Sequence, residues 1–486
     1  MKQPNILFLL ADDMGHWAMR NEGNTDIQTP CLDRLAQEGV KFDSFFCASP
    51  VCSPARASIL TGTMPSCHGV LDWLDGGNLD KSLPALRHRE DLPHETIPIR
   101  YTDHLTAYTD ILAAKGYRCA LSGKWHLGDS LAPQHSFSDW FTIGGGGCSY
   151  FAPEVIENGV LYKKEGYITD LIAENALERL EELAGGEQPF YLSVHFTAPH
   201  SPWEESDHPK GYLDLYRDCA FTATPDLPYH PWQASTCPHG RGERRKELLR
   251  GYYASITAMD HQIGRLMDKV KELGISEDTV IIFTSDNGMN LGQHGIWGKG
   301  NGTFPQNMYD SSVKVPFLIS WPGHTAEGAV CHELFSHYDI LPTLCSLAGC
   351  EAETEQQLPG RSFEKWLARP ELADSQSIVV FDEYGPVRMI RDKEWKLVLR
   401  YPYGPGELYH LTADPDETRN LFDDPACEER IIRMRRQMED WFLMYSDLDL
   451  DGRKEGVTGT GQHCRAGSRA HLLEKYGPVP APVREE

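Results

Sequence analysis

Carboxylates, amines and imidazoles stand just after short apolar runs at four places in the chain. Residues 5–10 lead into Asp12-Asp13, and residues 118–121 into Gly123-Lys124-Trp125-His126. Residues 189–196 lead into Thr197-Ala198-Pro199-His200, and residues 279–284 into Asp286-Asn287-Gly288. A carboxylate at the end of an apolar strand costs folding energy unless it is solvated or paired. A helix cap or a turn explains one such residue; four point to a site, because open α/β sheets bind ligands outside the carboxyl ends of their strands. Asp12, Asp13, Asp286 and Asn287 offer hard oxygen ligands, which suit Ca²⁺ or Mg²⁺ rather than Zn²⁺. A cation there neutralises an anionic substrate and polarises one of its oxygens. Lys124, His126, His200 and Lys299 supply the opposite sign. Lysine is a compact charge for a tetrahedral oxyanion, and histidine can give a proton to a leaving oxygen. Lys299 falls in Gly298-Lys299-Gly300, which reads as a flexible loop after Trp297.

The sharpest stretch is Cys52-Ser53-Pro54-Ala55-Arg56, followed by Leu60-Thr61-Gly62. Proline just inside a helix start is favourable, since its missing N–H is not needed there. Cys52 then sits at a helix N-terminus, whose free N–H groups attract anions. Two readings stand open on the residues alone: a buried thiol beside a helix start, or a thiolate nucleophile whose pKa the helix lowers. His230, Cys237 and His239 are spaced too irregularly for a zinc site and read as loop packing.

The elements that must position these residues follow from periodicity. Residues 5–10, 118–121, 189–196, 279–284 and 315–320 read as buried strands, and residues 106–115, 168–183, 246–273 and 338–348 as amphipathic helices. Their alternation predicts an α/β fold, a large and mostly parallel sheet sandwiched by helices. Residues 377–381, 387–391, 395–400 and 407–410 read as strands and residues 427–445 as a helix, a smaller C-terminal antiparallel sheet plus helix. The boundaries are 1–375 for the catalytic part, 376–446 for the C-terminal subdomain and 447–486 for a tail that could pair with a neighbouring copy. Residues 201–241 form a long insertion on the substrate side. Its Trp203, Tyr212, Tyr216, Tyr229 and Trp232 are read as an aromatic wall for the leaving group, with His294 as a further pocket residue.

The 486 residues carry 46 Lys+Arg against 71 Asp+Glu, a formal charge of −25. That excludes a dedicated nucleic-acid binder and electrostatic docking on an anionic membrane. The early apolar run is far short of the ~20 residues of a membrane span, and Asp12-Asp13 stand where a signal peptide would be cleaved. Thirteen irregularly spaced cysteines suit reduced thiols. The expectation is a cytoplasmic protein that begins at residue 1.

The Cys52–Gly62 stretch resembles the signature of the type I, formylglycine-dependent sulfatases, Cys-x-Pro-x-Arg followed by Thr-Gly. The resemblance covers nearly the whole chain. It includes Asn5-Ile6-Leu7 with Asp12-Asp13, Gly123-Lys124-Trp125-His126-Leu127-Gly128, Ala198-Pro199-His200, Ser285-Asp286-Asn287-Gly288, and late Glu407-Leu408-Tyr409 with Asp414-Pro415 and Glu417. It implies an alkaline phosphatase-like fold. It implies that a maturation enzyme oxidises Cys52 to formylglycine, whose hydrate attacks sulfur with one hydroxyl and expels sulfate through the other. Asp12, Asp13, Asp286 and Asn287 would hold the metal, usually Ca²⁺, together with the modified Cys52, and Asp286 would take a proton from the attacking hydroxyl. Arg56 would steady the ionised diol, and Lys124 and Lys299 would hold sulfate oxygens. His200 with Lys299 would protonate the departing alcohol, and His126 would assist the second proton loss. The substrate reading is a small-molecule sulfate monoester, arylsulfatase-like, with steroid, choline and sugar sulfates also in range. The rivals are a phosphonate monoester hydrolase or phosphodiesterase of the same superfamily, and a metal- and sulfate-binding protein with unmodified Cys52.

Overall fold

Ile6 to Ala11 are all fully buried, as a strand covered on both faces must be. Ile6, Phe8 and Leu10 pack into one apolar layer with Ala57, Tyr108, Leu112 and Leu341. Leu7, Leu9 and Ala11 pack into the other with Ile172, Leu180, Tyr252 and Ile263. The strand Asn5–Ala11 thus runs through the middle of a three-layer sandwich. The computed structural model describes residues 3–373, 379–467 and 474–483.

The central sheet has ten strands, in spatial order Ala329–Cys331, Val40–Phe42, Phe317–Ser320, Thr279–Ser285, Asn5–Ala11, Phe190–His195, Arg118–Gly123, Phe137–Ile143, Glu154–Glu157 and Val160–Lys163. The five from Thr279–Ser285 to Phe137–Ile143 are mutually parallel. Antiparallel pairs flank them, so the sheet is mixed. The strand expected over residues 315–320 divides at Pro316, which has no N–H for a ladder. Lys314–Val315 pairs instead with Phe45–Phe46, and Phe317–Ser320 joins the main sheet.

Ile168–Ala184 and Gly242–Glu272 cover one face of the sheet; Cys52–Thr61, Tyr108–Ala114 and Ile340–Leu347 cover the other. The C-terminal sheet is a four-stranded antiparallel meander, Val380–Tyr384, Val387–Arg391, Trp395–Arg400 and Glu407–His410. The helix Glu428–Tyr445 seals it with Met434, Met438 and Phe442 against Phe381, Ile390, Leu397 and Leu408. Ser377, Ile378 and the 375/376 boundary lie outside the described residues. The described tail lies back on its own chain: Gln462 bridges Leu74 and Tyr476, and Pro482 bridges Ala234. No helix among the described residues is long and apolar enough to cross a membrane.

Candidate active site

Because the central strands are parallel, their carboxyl ends share one edge of the sheet. Backbone bonds carry the ladder into the following turns: Asp12 N donates to Ala198 O (3.1 Å), Asp286 N to Ala11 O (3.1 Å) and Lys124 N to His195 O (2.9 Å). The four clusters are thereby brought together. Asp13 (φ 67°) and His126 (φ 59°) take left-handed backbone conformations, strain that survives where the surroundings over-determine it. Asp13 N donates to Asp286 Oδ1, and Tyr252 Oη donates to Asp13 O.

Cys52 opens the helix Cys52–Thr61, every residue of which is buried. Pro54 falls in its first turn, where no N–H is required, and Gly62 closes it in the left-handed region with its N–H on Ser58 O. The Cys52 side chain faces a cavity of about 400 Å³, lined also by Asp13, His126, His200 and Lys299. Burial pushes the Cys52 thiol up, although Lys124 and Lys299 pull it down. The helix start therefore does not produce a ready thiolate.

Asp12, Asp13 and Asp286 hold carboxylate oxygens within 4.8 Å of one another. Lys124 Nζ lies 2.5 Å from Asp12 Oδ2, Lys299 Nζ 2.5 Å from Asp13 Oδ1 and Arg56 Nε 2.8 Å from Asp286 Oδ2. Burial and the neighbouring Asp286 push Asp12 up to about 8. Burial acts on Asp286 in the same sense, but Arg56, Lys124 and Lys299 overcome it and hold that carboxyl well below its usual range. Asp12 Oδ1 and Asn287 Oδ1 are buried with no hydrogen-bond partner. Two orphaned hard oxygens beside crowded carboxylates fit a divalent oxygen-seeking cation.

The histidines are set apart by their partners. His126 Nε2 faces Leu74 O (3.0 Å), so it carries the proton, and Nδ1 is left as a buried lone pair without a partner. Burial and Lys124 hold this ring neutral, far below its ordinary pKa. His200 Nδ1 donates to Ser201 O, which turns Nε2 toward Asp13 Oδ2 at 3.7 Å. Burial lowers its pKa to about 4 against the pull of Asp13. Lys299 is not in a flexible loop: it is buried, Gly300 N donates to Pro50 O, and Asn307 Nδ2 donates to Lys299 O.

The aromatic wall expected from residues 201–241 is absent from the cavity. Trp203 is buried elsewhere, its Nε1 on Pro199 O and its ring edge-on to Tyr252. Trp232 lies under the Arg400 guanidinium, and His294 stacks on Tyr309 beside a different cavity. The insertion contributes Ser201, Ser235, Thr236 and Cys237 instead. Trp73, Gly146, Gly147, Met289, Asn301 and the tail's Gly459 and Thr460 also line it, and none was expected from the sequence. The run Gly144–Gly147 was the one visible signal: a Cβ on Gly146 would come within 2.3 Å of the His126 ring.

A family model described as Sulfatase matches residues 4–350, and a second, N-sulphoglucosamine sulphohydrolase, C-terminal, matches residues 292–442. An ulvan-active sulfatase of Formosa agariphila is 30% identical over 88% of this chain and 78% of its own. An N-acetylglucosamine-6-O-sulfatase of Bacteroides thetaiotaomicron is 26% identical over 95% of this chain and 90% of its own. A solved structure in complex with its substrate D-glucosamine-2-N,6-O-disulfate has TM-score 0.76 at 22% identity, covering 93% of this chain and 100% of the other. The fold is shared too with a phosphonate monoester hydrolase of Agrobacterium radiobacter: TM-score 0.67, 21% identity, 91% of this chain and 96% of that one.

Proposed function

This chain belongs to the sulfatase family of sulfuric ester hydrolases, and from that premise we propose that it cleaves small sulfate monoesters, sugar sulfates foremost, through a formylglycine made from Cys52. The carrying observation is one cavity lined by Cys52, Asp13, His126, His200 and Lys299, with Asp13 part of a buried cluster in which Asp12 and Asn287 keep orphaned oxygens and Lys124, Lys299 and Arg56 pair with the carboxylates. A hydrated aldehyde at position 52 supplies a hydroxyl to attack sulfur and a second hydroxyl whose deprotonation expels sulfate. Asp12, Asp13, Asp286 and Asn287 would hold the cation, Ca²⁺ by donor type, which when bound supplies charge neutralisation and polarises a sulfate oxygen.

The chain's own groups do the rest. Lys124 and Lys299 present fixed positive charge in a dry site, where it acts on a sulfuryl group without reorganisation. Arg56, bonded to Asp286 and to Lys124 O, holds the cluster in register and places positive charge at the foot of residue 52. The free lone pair of His126 Nδ1 suits it to take a proton from the second hydroxyl. Burial holds His200 neutral at pH 7; the negative charge of a sulfate ester beside it would raise its pKa, and Nε2 would then give its proton to the departing alcohol.

Substrate class is read from the walls. Ser235, Thr236, Asn301 and Thr460 line the cavity together with a single indole, Trp73, a mixture of polar residues and one ring that suits a pyranose. The relatives' names support this, and aryl sulfates serve as surrogates. The twelve cysteines other than Cys52 are unpaired with one another, which supports a cytoplasmic place. The test is mass spectrometry of the Cys52 peptide from a host with the maturation enzyme, followed by parallel sulfate-release assays. Formylglycine at position 52, with glucosamine 6-sulfate or p-nitrophenyl sulfate hydrolysed faster than a phenyl phosphonate monoester, is expected. An intact thiol or a preference for phosphorus overturns the reading.

A further inference from the structure

The cavity at Cys52 does not end at Trp73. A second cavity of about 480 Å³ adjoins it, and Trp73, Gly146 and Gly147 line both. Each alone falls within the ~300–1,000 Å³ of small-ligand sites. Trp73 is held at the junction by its N–H on Asp72 Oδ1 (2.9 Å) and its Nε1 on Gly459 O (3.2 Å). Gly144–Gly147 all line the second cavity. None of the four has a positive φ, so the backbone does not require glycine there, and a run of glycines costs entropy on folding. What requires them is space. A Cβ on Gly146 would collide with the His126 ring, and one on Gly147 would stand 3.4 Å from His200 Cε1. Bare backbone at these positions keeps the way open from the two histidines into the second cavity.

The second cavity is acidic. Asp75, Asp91, Glu95 and Glu154 stand against Arg89 and Lys163, a formal excess of two negative charges. Arg89 is already engaged: Nε and Nη2 donate to Asp91 at 2.7 and 2.6 Å, and Nη1 and Nη2 to Glu154 at 2.9 and 3.1 Å. Glu95 is buried and accepts from Asn78 N, Asn78 Nδ2 and Leu79 N. Asp75 faces His94 and His463. The exposed carboxylates of Asp91 and Glu154 therefore set the field that an entering group meets, and Arg89 has no charge to spare for an anion.

We propose, resting on the sulfatase reading above, that the second cavity holds a second sugar unit of the substrate and that this unit carries no acidic group. The substrate class is then an oligosaccharide sulfated on the unit beside Cys52 and uncharged or amine-bearing on the next. Sugar hydroxyls and amines are donors that carboxylates accept, and the Trp73 indole offers an apolar face to the ring between the two units. A second sulfate or a uronate in the same place would meet like charge, which is how a site rejects a near relative of its substrate.

The experiment reads affinity by calorimetry on the full-length Cys52→Ala chain with Ca²⁺ supplied, which holds sugar sulfates without turning them over. The ligands are glucosamine 6-sulfate and a panel of disaccharides joining that unit through different linkages to N-acetylglucosamine, with and without a sulfate on the second unit. The best monosulfated disaccharide should bind about tenfold tighter than the monosaccharide, and its disulfated counterpart about fivefold weaker than itself. That gap should narrow as salt rises, and in the double variant Asp91→Asn, Glu154→Gln. Gly145→Trp, at a position where a Cβ meets nothing within 4 Å, should erase the disaccharide's advantage. Disaccharides that bind no tighter than the monosaccharide, or a second sulfate that binds equally well, overturn the proposal. So does an advantage that survives Gly145→Trp, or a gap untouched by salt and by the double variant. The unsubstituted protein keeps the two readings apart. Sulfate released from glucosamine 6-sulfate with no preference for a disaccharide sinks the second-cavity proposal alone, and release from no sugar sulfate sinks the sulfatase reading.

Discussion

The candidate-site cluster and the junction between the C-terminal sheet and the body bury the same kinds of charge. At the junction, Arg388 Nε donates to Glu383 Oε1 (2.8 Å), and its Nη2 donates to Asp451 Oδ1 (2.9 Å) and Ser66 Oγ (3.2 Å). Ser66 N donates to Glu383 Oε2, Gly452 N donates to Ser66 Oγ, and the guanidinium lies 3.9 Å over the Phe442 ring. No buried polar atom of Ser66, Glu383, Arg388 or Asp451 lacks a partner. At the candidate-site cluster, Asp12 Oδ1, Asn287 Oδ1, Arg56 Nη2 and His126 Nδ1 all lack one. Both regions are equally dry; they differ in what is left unsatisfied. Buried charge that closes on itself joins parts of the chain. Charge left open beside a cavity reserves its valences for substrate and cofactor.

Substitutions in the two regions should therefore separate activity from stability. Cys52→Ala should lower sulfate-ester turnover by on the order of 10⁴-fold or more, as loss of a covalent nucleophile does, with a melting temperature close to the parent's. Substantial turnover by the folded variant would place the nucleophile elsewhere. Arg388→Ala should do the reverse. It strands the buried Glu383 carboxylate, Asp451 keeping Arg453 at 2.7 Å, and should cost about 3–5 kcal/mol, read as a lower denaturation midpoint, while turnover per folded molecule stays within about twofold. A large turnover defect in the folded fraction would mean that the junction reports to the active site.

The cation sharpens the contrast. A chelator-treated sample should lose turnover and regain it with Ca²⁺, and a hundredfold excess over the dissociation constant should add about 2.7 kcal/mol of stability. Arg388→Ala should gain the same increment, since the two clusters share no partner and distant effects add. Stabilisation abolished by Arg388→Ala would show the clusters to be one network. Stabilisation retained in a folded Asp286→Ala variant would move the cation off the catalytic cluster.

The candidate site residues were legible because of parallel topology. A strand buried on both faces is a continuous apolar run, and the next residue in sequence is the next in space at the sheet edge. Asp12, Lys124, His200 and Asp286 all announce themselves this way, and Pro54 marks the helix start that presents Cys52. The cavity walls had no such local sign. Thr460 reaches the site from the tail, and Trp73 gains its place through an Nε1 bond to Gly459 O. Phe137–Ile143 mixes Ser138, Asp139 and Thr142 into a parallel strand near the sheet's polar margin, so neither a run nor an alternation betrays it. The aromatics of residues 201–241 misled for a physical reason. Their polar tips are used to anchor the segment: Tyr216 Oη accepts from Gln28 N and bonds Thr257 Oγ1, while Tyr212 Oη meets His261 Nδ1. An aromatic-rich loop reads alike whether its rings face a ligand or a supporting helix.

Asp72 gives the finest version of the comparison, because it is a lone buried carboxylate satisfied without any cation. Its Oδ1 accepts from Tyr384 Oη (2.6 Å) and Trp73 N (2.9 Å), its Oδ2 from Gly459 N (3.0 Å) and Gly461 N (3.2 Å). Burial raises its pKa to about 6 even so, with the hydrogen bonds acting in the other direction. The folded state therefore binds this proton more tightly than the unfolded chain, whose carboxyl titrates near pH 4. Between about pH 4 and 6 the folded state carries more protons here, so this residue's contribution falls as pH rises, by no more than about 1.4 kcal/mol per pH unit, and is constant above. The unfolding free energy of the parent minus that of Asp72→Asn, measured across pH 4–8, should decline to about pH 6 and then level. A difference that is flat from pH 4 to 6 would show that four donors fully offset the burial of this charge, and that satisfaction alone can restore an ordinary carboxylate inside this protein.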